Sequence, residues 1–341
     1  MTETAATPAP SAPTPHEQLY GIMLGFWHNR ALTIAAELEL ADLLKNGPLD
    51  VEALAERSNT HAPSLFRLLR ALESIGVFKQ VSPRVFVNTP VSELLRKDIP
   101  GSQSAIVRAT FSLGEGQYEP WAGLLGSIQT GKIAFDQIYG YSFWEFLRRN
   151  PNQSAIFHEA MRSFTVPLTP AITAAYDWSR FPVIADIGGG IGTQLVDILN
   201  AHPSCRGILF DQLGVMASAI PHDRIQRIGG SFFESVPAGA DAYLLRSVIH
   251  DWAEPEAIAI LEKVRRAMQP HARLVLIEHV IPETPELTLG KWIDLHMLVL
   301  AGGRERTATE YAELYAKVGF ELQEIVPTAA PHSLIIGRPR P

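Results

Sequence analysis

The segment Ile184-Ala-Asp-Ile-Gly-Gly-Gly-Ile-Gly192 constrains this chain more than any other. An apolar run leads straight into a glycine-rich turn, and Thr193-Gln-Leu-Val-Asp-Ile-Leu-Asn200 then reads as a helix. Glycines at such a junction allow a tight turn and let a ligand approach the backbone closely. The sequence after residue 181 supplies the sheet this turn needs. Strands are predicted at 183–187, 207–211, 225–228, 242–248, 273–279, 321–326 and 333–337. Amphipathic helices separate them, most clearly at 254–268 and 309–318. Alternating strands and helices predict an α/β fold with a mostly parallel, doubly wound sheet covered on both faces. Its ligands would bind beyond the carboxyl ends of the strands.

The spacing of the turn carries chemical information. Asp211 closes the next predicted strand, 211 − 192 = 19 residues after the last glycine. That is close to the interval of about 20 residues at which a carboxylate reaches ribose hydroxyls. The dinucleotide pattern G-x-G-x-x-G fails, because with Gly188 and Gly190 in the first two places the third falls on Thr193. The pattern present is D-x-G-x-G-x-G, on Asp186, Gly188, Gly190 and Gly192. It suits a sulfonium-bearing amino-acid nucleoside better than a pyrophosphate, with Asp186 near the cationic end.

Upstream the texture is helical. A helix is predicted over 16–44, with Leu32, Ala35, Ala36 and Leu40 on one face and Gly47-Pro48 ending it. A short helix from Val51 and a longer one from Ala62 follow, then a hairpin formed by Val77-Phe78 and Val85-Phe86-Val87. Three helices and a two-stranded wing make a winged-helix pattern, which serves either dimerisation or DNA binding. Between Pro15 and Pro100 there are nine Lys and Arg against ten Asp and Glu, so the module is about neutral. A DNA reader would be basic, and dimerisation is the favoured reading. Residues 106–178 are rich in aromatics such as Trp121, Phe135, Trp144 and Phe157, which supply a core and a wall for a flat substrate.

The whole chain, 341 residues with net charge −7, is long enough for two domains and has no excess of basic charge to suggest a nucleic-acid partner. Cys205 is the only cysteine, so neither a disulfide nor a thiolate metal cluster can form within the chain. No apolar run approaches the roughly 20 residues of a membrane span. The Ala/Pro/Thr-rich stretch from Met1 to Pro15 lacks the pattern of a signal peptide and reads as a disordered tail, so a cytoplasmic location is expected. The expected organisation is a tail at 1–15, a winged-helix-like dimerisation domain at 16–105, a helical linker contributing to a substrate pocket at 106–180, and a catalytic domain at 181–341.

Four segments together carry a resemblance: Asp186-Ile-Gly-Gly-Gly-Ile-Gly192, Gly229-Gly-Ser-Phe-Phe233, His250-Asp-Trp252 and Gly302-Gly-Arg-Glu-Arg-Thr307. With Leu38-Glu-Leu-Ala-Asp-Leu-Leu44 and Phe66-Arg-Leu-Leu-Arg-Ala-Leu72, the chain after Pro15 resembles the plant caffeate-type O-methyltransferases and their bacterial small-molecule relatives. The resemblance implies a class I methyltransferase (Rossmann-like) fold with an N-terminal winged-helix dimerisation domain, and a homodimer. The cofactor implied is S-adenosylmethionine, with no metal. It places a proton-abstracting base on His250 and two orienting carboxylates on Glu278 and Glu305. It places cofactor contacts on Asp186, Gly188, Gly190, Gly192, Asp211, Ser231, Phe232 and Arg246, where Ser231 replaces the family's usual acidic residue and Arg246 its lysine. Met161, Trp292, His296 and Met297 are expected to line the substrate pocket. Chemistry agrees with the base: a phenol titrates near 10 and histidine near 6.5, so a positioned imidazole can take the proton at neutral pH. The expected activity is methylation of a phenolic or enolic hydroxyl on a small aromatic. Two alternatives stay open: non-methylating use of the same cofactor, and a cofactor-sensing winged-helix regulator.

Overall fold

The computed structural model describes residues 13–112, 114 and 116–340. Most of the expected tail, residues 1–12, therefore lies outside the described residues. The chain forms two compact units, Met1–Ser112 and Leu113–Pro341.

The first unit contains α1 (Pro15–Glu37), α2 (Leu40–Leu43), β1 (Leu49–Asp50), α3 (Val51–Arg57), α4 (Ala62–Ser74), β2 (Phe78–Ser82), β3 (Val85–Asn88), α5 (Pro90–Glu93) and α6 (Ser104–Phe111). A capping box starts α1: the Glu17 N–H donates to Thr14 Oγ1 at 3.3 Å, and the Thr14 N–H donates to the Glu17 carboxylate at 2.7 Å. The single helix expected over 16–44 is corrected to two, because Glu39 adopts φ 54°. That left-handed residue turns the chain so that Leu40, Ala41 and Leu44 enter the core. In α4 the apolar residues Leu65, Leu69 and Leu72 recur on one face and are buried. The strands form a three-stranded antiparallel sheet in the order β1-β3-β2, which completes the winged-helix arrangement.

The second unit opens with helices α7 (Leu124–Thr130), α8 (Ala134–Tyr139), α9 (Phe143–Arg149), α10 (Pro151–Thr165) and α11 (Thr169–Ala174). It continues through β4 (Val183–Ile187), α12 (Thr193–Ala201), β5 (Arg206–Asp211), α13 (Leu213–Met216), β6 (Ile225–Gly229), β7 (Ala242–Arg246), α14 (Glu254–Ala267) and β8 (Arg273–Glu278). It ends with α15 (Leu289–Leu300), α16 (Ala308–Lys317), β9 (Phe320–Pro327) and β10 (Ser333–Pro339). All seven predicted strands are present, in one sheet of order β6-β5-β4-β7-β8-β10-β9. The first five are mutually parallel, and β10 lies antiparallel between β8 and β9.

Side chains alternate across this sheet. Ala185, Tyr243, Leu245 and Leu276 pack into one core with Ile260 and Leu261 of α14 and Tyr311 of α16. Ile184, Leu244, Val275 and Ile277 pack into the opposite one with Leu195 and Ile198 of α12 and Trp178. A doubly covered sheet of this kind holds its carboxyl ends rigidly. The strand expected to reach residue 248 stops at Arg246, because Ser247 takes φ 50° and bends the chain into a 3-10 turn over Ile249–Asp251.

Candidate active site

The glycine turn is shaped by what its neighbours leave no room for. A Cβ on Gly189 would stand 2.5 Å from Asp186 Oδ2 and 2.7 Å from Leu209, and one on Gly188 would stand 2.9 Å from Val248. Gly188, Gly190 and Gly192 have φ of 71°, 59° and 89°. The Gly190 N–H donates to Asp211 Oδ2 at 2.8 Å, so the carboxylate at the end of β5 holds the turn. Asp186 is 1 % exposed and neither of its carboxylate oxygens has a hydrogen-bond partner. Burial pushes its pKa up to about 7, against the opposing charge of Arg246. A buried carboxylate without donors is costly unless a cationic or hydrogen-bonding ligand satisfies it. Together with a backbone cradle that a Cβ would fill, it fits the amino-acid end of a nucleoside such as S-adenosylmethionine.

Arg246, at the end of β7, donates to Thr169 Oγ1 at 2.9 Å, Gln194 Oε1 at 3.0 Å and the Thr165 carbonyl at 2.9 Å. Most of its guanidinium is thus committed to α10, α11 and α12, and only Nε is left without a partner. Ser231 Oγ accepts the Phe233 N–H at 3.3 Å, within the turn after β6. The Phe232 ring lies 3.5 Å from where a Gly188 Cβ would stand. Phe232, Phe233 and Trp252 make mutual edge contacts, with centroids 4.8–5.9 Å apart, and Trp252 stacks on Trp144 of α9 at 5.6 Å. Aromatic packing therefore runs from the glycine turn to the helices before the sheet.

The 3-10 turn after β7 presents His250, and the end of β8 and the loop between α15 and α16 bring carboxylates to it. His250 Nδ1–H donates to Glu305 Oε1 at 2.6 Å. Glu278 Oε2 stands 3.8 Å from the same nitrogen, while Glu278 Oε1 accepts the Val248 N–H at 3.1 Å and the Ile249 N–H at 2.9 Å. One carboxylate thus holds both the backbone of the turn and the field around its imidazole. Glu305 is fixed in turn: its N–H donates to Asp294 Oδ1 of α15 at 2.9 Å, and Arg306 bridges to Val280. Gly303 is needed for this approach, since a Cβ there would overlap the His250 carbonyl oxygen and the Asp251 carbonyl carbon. Asp251, which sequence reasoning passed over, places Oδ1 3.4 Å from His250 Nε2.

Burial opposes charge on His250, yet the Glu278, Glu305 and Asp251 carboxylates outweigh it and raise its pKa well above the ordinary imidazole value. Burial pushes Glu278 up to about 7 and Asp251 up to about 6. His250, Glu278 and Glu305 are close enough together to resemble a metal triad. A Nδ1–Oε1 separation of 2.6 Å is a hydrogen bond, however, and two ligands about 2.0–2.2 Å from one zinc would stand farther apart.

The four residues expected to line the substrate pocket are placed differently. Met297 is buried with Phe135, Phe143, Phe146 and Leu300. His296 is half-buried and hydrogen-bonded at both ring nitrogens. Met161 lies within α10, half-buried. Trp292 lies near the start of α15, 57 % exposed.

An O-methyltransferase domain model matches residues 121–321, and an O-methyltransferase dimerisation domain model matches residues 20–98. The chain belongs to the S-adenosylmethionine-dependent O-methyltransferase family. This methyltransferase is 42 % identical to a phenazine O-methyltransferase, PhzM, of Lysobacter antibioticus, over 94 % of this chain and 95 % of that one. It superposes on the crystal structure of LaPhzM with a TM-score of 0.90, at 40 % identity, covering 96 % of this chain and all of the other. It is also similar to NcsB1, an O-methyltransferase from neocarzinostatin biosynthesis solved with S-adenosylmethionine and 2-hydroxy-5-methyl naphthoic acid. There the TM-score is 0.80 and the identity 32 %, over 91 % of this chain and 95 % of that one. The class I methyltransferase fold, the cofactor and the enzyme class expected from the sequence are therefore established. Among the described residues no helix of this methyltransferase is long and apolar enough to cross a membrane.

Proposed function

We propose that this methyltransferase methylates the hydroxyl of a small, flat aromatic molecule, with His250 Nε2 as the proton acceptor. The observation that carries the reading is the 2.6 Å bond from His250 Nδ1–H to Glu305. A neutral imidazole that donates through Nδ1 has its lone pair on Nε2, and the buried carboxylates stabilise the imidazolium that forms when Nε2 takes a proton. Asp251 stands beside that nitrogen to hold the charge.

In this reading Asp186 and the backbone of Gly188, Gly190 and Gly192 hold the amino-acid end of the cofactor. Asp211 holds the ribose, and Ser231 and Phe232 hold the adenine. Arg246 orients the helices that close over the site. S-adenosylmethionine, when bound, supplies an electrophilic methyl group that needs only a nucleophile aligned with its carbon–sulfur bond. The protein's own task is to position the hydroxyl and accept its proton. Met161, His296 and Met297, with the aromatic helices between residues 124 and 165, wall the substrate, and Trp292 lies at the outer rim. The phenazine and hydroxynaphthoate named for the two relatives support a flat aromatic substrate.

The test is product formation from a panel of hydroxyphenazines and hydroxynaphthoates, with S-adenosylhomocysteine released one for one. Substituting His250→Ala should lower kcat by about 10²–10⁴-fold, as expected when a general base is lost. Cofactor consumption without an O-methyl product, or an unchanged kcat in the variant, would refute the reading.

We further propose a homodimer formed through the first unit. Leu19, Ile22, Met23, Phe26 and Trp27 of α1 are each at least 57 % exposed, a contiguous apolar face of the kind that marks an interface. Light scattering should give twice the chain mass, and Trp27→Asp should shift the protein toward monomer.

A further inference from the structure

Three side chains of the second unit form a one-way hydrogen-bond relay. Trp121 Nε1–H lies 3.1 Å from His296 Nδ1, with the two rings nearly parallel at 16°. An indole N–H can only donate, so His296 Nδ1 must accept. Burial, together with the positive charge of His250, pushes the His296 pKa down to about 4, so the ring is neutral and its proton sits on Nε2. That N–H therefore donates to Gln117 Oε1 at 3.2 Å. The direction of each bond follows from the one before it, and the last fixes the rotation of the Gln117 amide. Its NH2 group must point away from His296.

Gln117 is 4 % exposed, and among the described residues nothing accepts from its amide nitrogen. That nitrogen nonetheless keeps a trace of accessible surface, so it is not sealed inside the protein. A nearly buried donor pair locked in orientation and left unused is a recognition element rather than a packing element. Its orientation is also linked to that of the base. Helix α15 carries both His296, which orients Gln117, and Asp294, which accepts the Glu305 N–H at 2.9 Å, and Glu305 in turn orients His250. One rigid helix thus ties the proton acceptor to the donor.

We propose that Gln117 is a specificity-determining residue: its amide N–H donates to a hydrogen-bond acceptor on the aromatic substrate, either a ring nitrogen or a carbonyl oxygen, remote from the hydroxyl that is methylated. His296 is a positioning residue that acts through Gln117 and takes no proton from the substrate. The inference rests on the methyl-transfer reading above and deepens it from flat aromatics in general to those carrying an sp2 acceptor.

The probes are 2-hydroxyphenazine and 2-hydroxyanthracene, which differ only in the replacement of two ring CH groups by nitrogen, with 2-hydroxyanthraquinone as the carbonyl case. Dissociation constants are measured on the full chain with S-adenosylhomocysteine present, and kcat/KM with S-adenosylmethionine. The wild-type protein should favour each acceptor-bearing probe over 2-hydroxyanthracene by about tenfold or more. In Gln117→Leu that ratio should fall to near one. In Gln117→Glu, which keeps an oxygen for His296 and turns an acceptor toward the ligand, it should fall below one. A thermal melt identifies a variant that has lost its fold, and the wild-type ratio stands as a test without any variant. Equal binding of the probes by the wild-type protein, or a ratio unchanged in folded Gln117→Leu, overturns the assignment. Discrimination in binding with no methylated product leaves Gln117 assigned and removes the methyl-transfer reading instead. Preference for the phenazine alone assigns the partner as a ring nitrogen, and preference for the anthraquinone alone assigns it as a carbonyl.

Discussion

At His250 three carboxylates compete with burial, and the carboxylates win. The imidazole is held protonated well above pH 6.5, whereas a base must be neutral to act. With the raised value the active fraction grows as pH rises, so kcat/KM should climb through a midpoint above 6.5 and level off at alkaline pH. Glu305→Gln removes one of the charges that raise the midpoint. Its profile should shift to lower pH while kcat falls by roughly 10²-fold or more, because Nδ1–H loses a charged acceptor. A pH–rate profile of both proteins checks this, and a midpoint that does not move would assign the limb to another group. His250, Glu278 and Glu305 were legible in the sequence through their motifs. Asp251 and Gln117 were not. Gln117 meets His296 across 179 residues of chain, and no periodicity or spacing records such a contact.

The strands and the glycine turn were the most legible elements, because a buried parallel sheet demands continuous apolar runs and a turn demands glycine. The break at Glu39 was not: Leu38 and Leu40 read equally well as one continued helix, and only tertiary burial of Leu40 and Leu44 selects the left-handed turn. The end of β7 is hidden in the sequence for a similar reason, since the bend at Ser247 is fixed by Glu278 gripping Val248 and Ile249 from the neighbouring strand. Within the glycine turn the four glycines differ in what they permit. A Cβ on Gly190 meets nothing within 4 Å, so Gly190→Ala costs only the strain of a positive φ, about 1 kcal/mol. Gly189→Ala drives its methyl into Asp186 and Leu209 and should cost about 1–3 kcal/mol or more. Thermal melts of the two variants without ligand should show the larger loss at Gly189, and the reverse order would contradict the packing described.

On the scale of the whole molecule, acid sensitivity is built into the second unit. His279 and His332 stack with ring centroids 4.4 Å apart and are 3 % and 2 % exposed. Burial pushes both pKa values down, that of His332 to about 2. A histidine whose folded pKa is depressed binds fewer protons in the folded state than in the unfolded one. Its stabilising contribution is therefore complete above about pH 6.5 and is lost as pH falls below it. Each pH unit below 6.5 should cost up to about 1.4 kcal/mol for each such histidine until its folded pKa is reached. Melting temperatures from pH 7 to pH 4.5 should fall steeply, and His332→Gln should flatten the slope. An equal slope in the variant would place the sensitivity elsewhere.

The reversed strand β10 has its own consequence. In the five parallel strands the chain reaches the reacting edge only by ending a strand, whereas β10 begins there, with Ser333 paired to Glu278 and His332 Nε2 3.3 Å from Ser247 Oγ. Residues 328–332, the turn that joins β9 to β10, therefore approach the bend before His250 from the far side of β8. They belong to no βα junction and hold no part of the glycine turn. A substitution in this turn can therefore alter the bend that carries His250 while leaving the glycine turn untouched.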